Sequence, residues 1–239
     1  MQRRIAEQRE MLKKSLEEQR RKLEQNTGPT QTAIDVTNLA SNPASSGLVC
    51  PADVKPLYDQ LLARKVNFID DKFPPKLSTI GDNSKVDNDM RSSIWLRPAQ
   101  IFNRNYELFD GIDPDDVKQG SLGVCYYLST LSALAEKEGR IRPLFPFYNK
   151  ELGFYVVKLY IHGKPTNIVV DDFMPCLRGT NEPMFTKPNG DEIWVMVLEK
   201  AWVKNFGSYL SAEAMSPDTM MENIDGAPAK GVWIEDSAK

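Results

Sequence analysis

Histidine is almost missing from this chain: 239 residues contain one, His162. Cysteine is scarce as well, with Cys50, Cys125 and Cys176 as the whole set. An odd trio of cysteines does not make a disulfide framework, and a lone histidine does not make a metal-ligand cluster. A small stapled domain and a metalloenzyme are therefore the least expected readings. No apolar run approaches the length of about 18 residues that a membrane span needs. The N-terminus is highly charged and carries no apolar signal region. Surplus positive charge is lacking too, since the net charge is −3 and the pI about 5.4. That leaves no electrostatic case for nucleic acid as a partner. No phosphate-binding loop is present, so a nucleotide enzyme is not expected. These absences predict a reducing, intracellular, cytoplasmic setting, in which Cys50 beside Pro51 and Cys176 after Pro175 are structural.

What is present suffices for one sizeable core with an appendage: 27.0 kDa of chain, 41% of it hydrophobic. The appendage is residues 1–25. Ile5, Leu12, Leu16 and Leu23 stand seven, four and seven apart, a narrow apolar stripe on a very polar helix. Glu10–Lys14, Glu17–Arg21 and Glu18–Lys22 add i,i+4 pairs with the acid first. Eight Lys/Arg against five Glu leave this segment at +3 and the remainder at −6. So thin a stripe suits a coiled-coil seam or a groove on a protein partner. A solvated single helix is the plainer alternative. Residues 26–52 are rich in Gly, Pro, Ser and Asn, and read as a tether.

The folded part runs from 53 to 239. Asp53 is placed to cap a helix reaching Lys65, with Leu57, Leu61 and Leu62 on one face. Residues 80–88 read as a surface turn, because the spacing of their acids lacks an EF-hand's glycine and distal glutamate. Phe154–Ile161 and Asn167–Val170, either side of His162-Gly163, predict a hairpin. Residues 193–206 predict a helix whose stripe is Trp194, Val197, Leu198 and Ala201, with Glu199, Lys200 and Lys204 lying away from its centre and Gly207 ending it. Beyond Ala214 the signals weaken.

Everything else is arranged around Gln119-Gly120-Ser121-Leu122-Gly123-Val124-Cys125-Tyr126-Tyr127-Leu128. Two glycines make a tight turn that lets backbone approach a ligand. Tyr127, Leu128, Leu131, Leu134 and Ala135 then recur at helical spacing, with Gly139 as a stop signal. Cys125 thus stands at a helix N-terminus, where unpaired N–H groups and the macrodipole favour a thiolate. Gln119 is placed to offer its amide to an oxyanion. A cysteine leading into an apolar helix is also, more commonly, a small buried core residue.

The pattern Gln-Gly-x-Leu-Gly-x-Cys followed by two aromatics and Leu resembles the nucleophile segment of the calpains, calcium-dependent intracellular cysteine proteases. Phe68-Ile69-Asp70-Asp71-Lys72-Phe73-Pro74-Pro75 is similar to their entry segment. Trp95-Leu96-Arg97-Pro98, Leu108-Phe109-Asp110-Gly111 and Val169-Val170-Asp171-Asp172-Phe173-Met174-Pro175 are similar to later landmarks. Glu192-Ile193-Trp194, Leu198-Glu199-Lys200-Ala201-Trp202 and Gly207-Ser208-Tyr209 complete the series. Two positions depart: Val124 and Tyr126 stand where the family usually has Asp and Trp. Neither supplies the attacking atom, but Val124 removes a charge beside the nucleophile.

The resemblance implies an α+β, papain-like calpain core, a mostly helical subdomain with a small antiparallel sheet, preceded here by the coiled-coil-like helix. It implies a thiol protease, a hydrolase of protein substrates, with Cys125 as nucleophile and Gln119 as oxyanion contact. Ca²⁺ would be held through Phe109, Gly111, Asp116 and Glu192, two carbonyls and two carboxylates of the kind that ion takes. The family's catalytic His and Asn lie in a second half that follows the matched segment. His162, at a hairpin tip, is no substitute, so this chain alone is expected to be inactive. The alternative is a non-catalytic calpain-like module docked in an assembly through residues 1–25, with cytoskeletal association one setting for it.

Overall fold

The computed structural model describes residues 48–102, 106–121 and 123–229. The helix expected over 1–25, and most of the tether after it, lie outside the described residues. Helices dominate, joined by two small antiparallel sheets. One sheet pairs β1 (Ile94–Leu96) with β5 (Met174–Cys176), in the register Ile94↔Cys176, Trp95↔Pro175 and Leu96↔Met174. The other has three strands in sequence order: β2 (Phe147–Asn149), β3 (Phe154–Ile161) and β4 (Lys164–Val170). The β3–β4 hairpin turns at His162 and Gly163, with φ of 52° and 72°. Two successive positive φ values are what a two-residue hairpin turn matched to strand twist requires.

Alternation along β3 serves two cores. Tyr155, Val157 and Leu159 join the main cluster, while Phe154 and Val156 face a smaller one with Phe68, Phe147 and Leu152. The Lys55–Arg64 helix covers that smaller cluster through Leu61. Its N-cap is Val54 rather than Asp53, whose carboxylate instead accepts from Asn167 Nδ2 at 2.9 and 3.0 Å. Leu57 of this helix is exposed, so the buried face is narrower than its leucines suggest. The turn expected over 80–88 spans 81–87, with Ile80 buried at the end of a short helix and Val86 buried within the turn, and its Asp87 caps the Asn88–Ser92 helix by accepting from Met90 N.

Two eleven-residue helices form the centre. Cys125–Ala135 is buried on nearly every side, and its exposed line is Cys125, Ser129 and Ala133, spaced four apart. It ends at Ala135, and Gly139 lies inside a separate turn, Glu138–Ile141. Trp194–Lys204 is buried from Trp194 to Val203, including Glu199 and Lys200. The expectation that these two lie away from the buried stripe is overturned. A polar group enters a core when it is hydrogen-bonded, and a charge when it is also paired. Glu199 accepts from Thr186 N at 3.2 Å and from Thr186 Oγ1, and Lys200 pairs with Asp171.

Lys200 belongs to a larger network that joins the landmarks of the sequence. Asp171 also accepts from Asp70 N at 2.7 Å and Phe173 N at 2.9 Å. Asp70 in turn pairs with Lys204, and Asp172 with Arg97. Arg97 donates to Phe68 O at 2.7 Å and lies 4.1 Å from the Phe173 ring centroid. After Ala214, where the sequence is least legible, the chain forms a helix over Pro217–Asp225 that buries Met220 and Ile224. Pro217 and Gly226, which look like breakers, are its first-turn proline and left-handed C-cap.

Candidate active site

Cys125 is exposed at the first residue of its helix, after an N-cap, Val124, that supplies no side-chain hydrogen bond. The first intrahelical bond is Leu128 N to Val124 O, at 3.0 Å. The N–H groups of residues 125–127 therefore have no partner within the helix, and their dipoles converge on the start where the sulfur sits. Val124 is buried, so the departure from Asp there is a packing change as well as a lost charge.

The preceding loop is held from two sides. On one, Ser121 N donates to Met184 O at 3.0 Å and Lys187 N to Lys118 O at 2.9 Å. Gly120 sits between these bonds, so close to the Phe185 carbonyl that a Cβ would overlap its oxygen. Phe185 stacks on Tyr209 with centroids 4.3 Å apart, and the Thr186–Glu199 bonds anchor the next residue. On the other side, Gly123 N donates to Glu213 Oε1 at 3.1 Å and Ala214 N donates to Gly123 O at 3.2 Å. Tyr126 Oη donates to Ala212 O at 2.6 Å and accepts from Trp202 Nε1 at 3.0 Å. Gln119 is exposed on this doubly held loop, six residues before the cysteine. Glu213 and Glu199 are the supporting residues that the sequence did not announce, since each acts from a distant segment.

The other two cysteines are less exposed than Cys125. Cys176 is fully buried and burial pushes its thiol up to about 12. Cys50 is partly buried, and that burial raises it too. His162 is exposed at the hairpin tip, and among the described residues no hydrogen bond or ion pair joins it to Cys125.

The residues proposed for calcium come together from two segments. Glu107 N donates to Asp191 O at 3.0 Å and Ile193 N to Glu107 O at 3.1 Å, zipping 107–110 to 191–193. Across that join Glu192 accepts from Asp110 N at 3.1 Å. Asp116 accepts from Asp113 N at 2.7 Å, Asn189 Nδ2 at 3.2 Å and Trp194 Nε1 at 3.4 Å. Both carboxylates are buried, 5% and 4% exposed, and they share a hydrogen bond. Burial, then that hydrogen bond, push Glu192 up to about 8. Burial works against Asp116 as well, but the bonds from Glu192, Asp113, Asn189 and Trp194 hold its carboxyl below the usual range. Phe109, edge-on to Phe145 at 5.2 Å, and Gly111, with φ of 105°, lie on the same loop. Among the described residues no cluster of three or more His, Cys, Asp or Glu side chains is arranged to hold a metal.

Residues 68–239 match the calpain family cysteine protease family. The calpain-type cysteine protease ADL1 of Oryza sativa subsp. japonica is 32% identical over 221 residues, covering 82% of this chain and 10% of the relative. The calpain-type cysteine protease DEK1 of Arabidopsis thaliana is 36% identical over 172 residues, 67% of this chain and 8% of the relative. The calpain-1 catalytic subunit of Macaca fascicularis is 29% identical over 189 residues, 74% of this chain and 26% of the relative. This chain thus spans between about a tenth and a quarter of the length of these relatives. No described helix is long and apolar enough to cross a membrane. With an exposed cysteine leading a buried helix and the family's pattern matched along most of its length, the chain belongs to the calpain family of cysteine proteases.

Proposed function

We propose that this chain carries the nucleophile half of a calcium-dependent cysteine endopeptidase acting on protein substrates. The observation that supports it best is the exposed Cys125 at the head of an otherwise buried helix, behind a loop fixed by backbone bonds on both sides. The Cys125 thiolate attacks a substrate carbonyl carbon, and the C=O electron pair moves onto oxygen. Gln119 donates its amide N–H to that oxyanion. Collapse expels the amine, which needs a proton, and water then hydrolyses the thioester. His162 is the only imidazole in these 239 residues and sits at an exposed hairpin tip. The proton donor therefore comes from outside them, and the chain alone does not turn over.

The calcium part rests on Asp116 and Glu192, two buried carboxylates close enough to share a proton. Such a pair suits a hard cation, with the Phe109 and Gly111 carbonyls as neutral oxygen donors on the same loop. Calcium bound there would supply the positive charge that lets both carboxylates ionise. Residues 1–25 are the partner-binding helix of this proposal, and the cytoplasm, with its cytoskeleton, the setting. Crosslinking that is unchanged by deleting 1–25 would overturn that part.

A peptidase assay with calcium and reductant tests the rest, alongside iodoacetamide labelling. No turnover is expected from the chain alone, with Cys125 alkylated at lower pH than Cys50 or Cys176. Turnover abolished by both Cys125→Ala and His162→Ala would make His162 the base. Equal labelling of all three thiols would remove Cys125 as nucleophile and favour the non-catalytic module.

A further inference from the structure

We propose that Glu213 is a specificity-determining residue, whose carboxylate beside the nucleophile turn selects substrates carrying a basic side chain close to the scissile bond. The inference rests on the reading of Cys125 as nucleophile. Residues 212–214 form a strap across the turn that leads to it. Glu213 Oε1 accepts from Gly123 N at 3.1 Å, Ala214 N donates to Gly123 O at 3.2 Å, and Ala212 O accepts from Tyr126 Oη at 2.6 Å. Both polar groups of Gly123 are thus taken by consecutive residues of one strap. Ala214 adopts φ of 56° to do this, a left-handed conformation that a Cβ disfavours. The Gly123 N–H thus orients one carboxylate oxygen of Glu213 at the turn.

Among the described residues its charge has no cationic partner. Glu107, Glu138 and Glu182 each pair with a cation, whereas no Lys or Arg among the described residues pairs with Glu213. Its second oxygen takes no hydrogen bond from a described residue, and is available to an ammonium or guanidinium. Gly123 and Cys125 are both exposed, so a substrate drawn to the sulfur passes over this turn. Gly123 precedes the cysteine by two residues, so chain length alone keeps the carboxylate within roughly 14 Å of the sulfur. That can exceed the Debye length of roughly 8 Å at physiological salt, so a charge on the bound substrate feels the carboxylate most at low salt.

The test uses peptides bearing an epoxide, a group the thiolate opens by forming an S–C bond and breaking a C–O bond, with water protonating the released oxygen. Arg, Gln or Glu is placed in turn at each of the two residues flanking the epoxide, and alkylation of Cys125 is followed by intact mass. The wild-type chain is expected to react about five- to tenfold faster with an Arg peptide than with its Gln counterpart at low salt. The preference should shrink as salt rises. Glu213→Gln keeps an acceptor oxygen for Gly123 N–H and removes the charge, so it should lose the preference when each peptide rate is divided by that chain's own iodoacetamide rate. Glu213→Ala loses the bond too, and should slow all the peptides together. A Glu213→Gln chain that still favours Arg, or a wild-type chain with no preference, overturns the proposal. If iodoacetamide does not label Cys125, the nucleophile reading fails and the role of Glu213 goes with it.

Discussion

Lys200 and Asp171 form an ion pair in which neither side chain is reached by water. Lys200 also donates to Phe173 O at 2.6 Å and lies 5.5 Å from the Trp95 ring centroid, so this one ammonium ties its own helix to two other landmarks. Asp171 is saturated in the same way by the N–H groups of Asp70 and Phe173.

Lys200→Met should therefore destabilise strongly, by about 3–5 kcal/mol, because it strands a buried carboxylate. Adding Asp171→Asn to it should cost less than the two single losses together. Urea unfolding of the four chains reads the coupling. Simple additivity would mean that the pair is not an interacting unit.

Glu199 predicts a pH dependence. Burial pushes its carboxyl up to about 7, with the Thr186 bonds opposing. Its unfolded value is about 4.3, so between those limits the unfolded chain releases its proton first. The folded state gains from Glu199 fully below about pH 4.3 and loses that gain as pH rises through 7, by at most about 3–4 kcal/mol. Glu199→Gln should flatten this part of the curve and be relatively more stable at pH 8. Unfolding midpoints that run parallel in the two chains from pH 4.5 to 8.5 would refute it.

Gly120→Ala should unseat the loop that carries Gln119. The obstacle is backbone, the Phe185 carbonyl, and cannot rotate aside. Overpacking of this kind costs about 1–3 kcal/mol. Faster hydrogen exchange at the Ser121 and Lys187 amides, whose bonds flank the glycine, is the expected signature. Unchanged protection at both would show that the loop tolerates the methyl group.

Calcium, if bound at Asp116 and Glu192, competes with the proton they share. Affinity should rise with pH up to about 8, the value to which Glu192 is pushed, and binding at pH 7 should release close to one proton. Calorimetry in buffers of different ionisation enthalpy measures that number. Asp116→Asn should weaken binding severely, and calcium-independent heats in the wild-type chain would dispose of the site.

Much of this was legible in the residues. Period-two apolar residues around His162-Gly163 gave the hairpin, and the glycine turn ahead of an apolar helix gave the placement of Cys125. The charged residues of the Trp194–Lys204 helix were not legible, because their partners at Asp171, Asp70 and Thr186 lie in distant segments and hydrophobic periodicity treats every charge as solvent-facing. The Pro217–Asp225 helix was missed for a related reason: proline and glycine read as breakers until their positions at its two ends are known. Glu213 carried no local signal, since its meaning lies in Gly123, ninety residues earlier.

The charge network also bears on how the chain reaches its fold. Its contacts join residues 134 apart in Lys204–Asp70, 101 apart in Asp70–Asp171 and 75 apart in Arg97–Asp172. Closing loops of that size costs entropy before any ion pair is made, and a half-formed network would leave charges dehydrated without partners. Such contacts assemble late, once the two helices and the hairpin have already met. They then act as a latch on the finished structure, slowing its opening while doing little to hasten its formation.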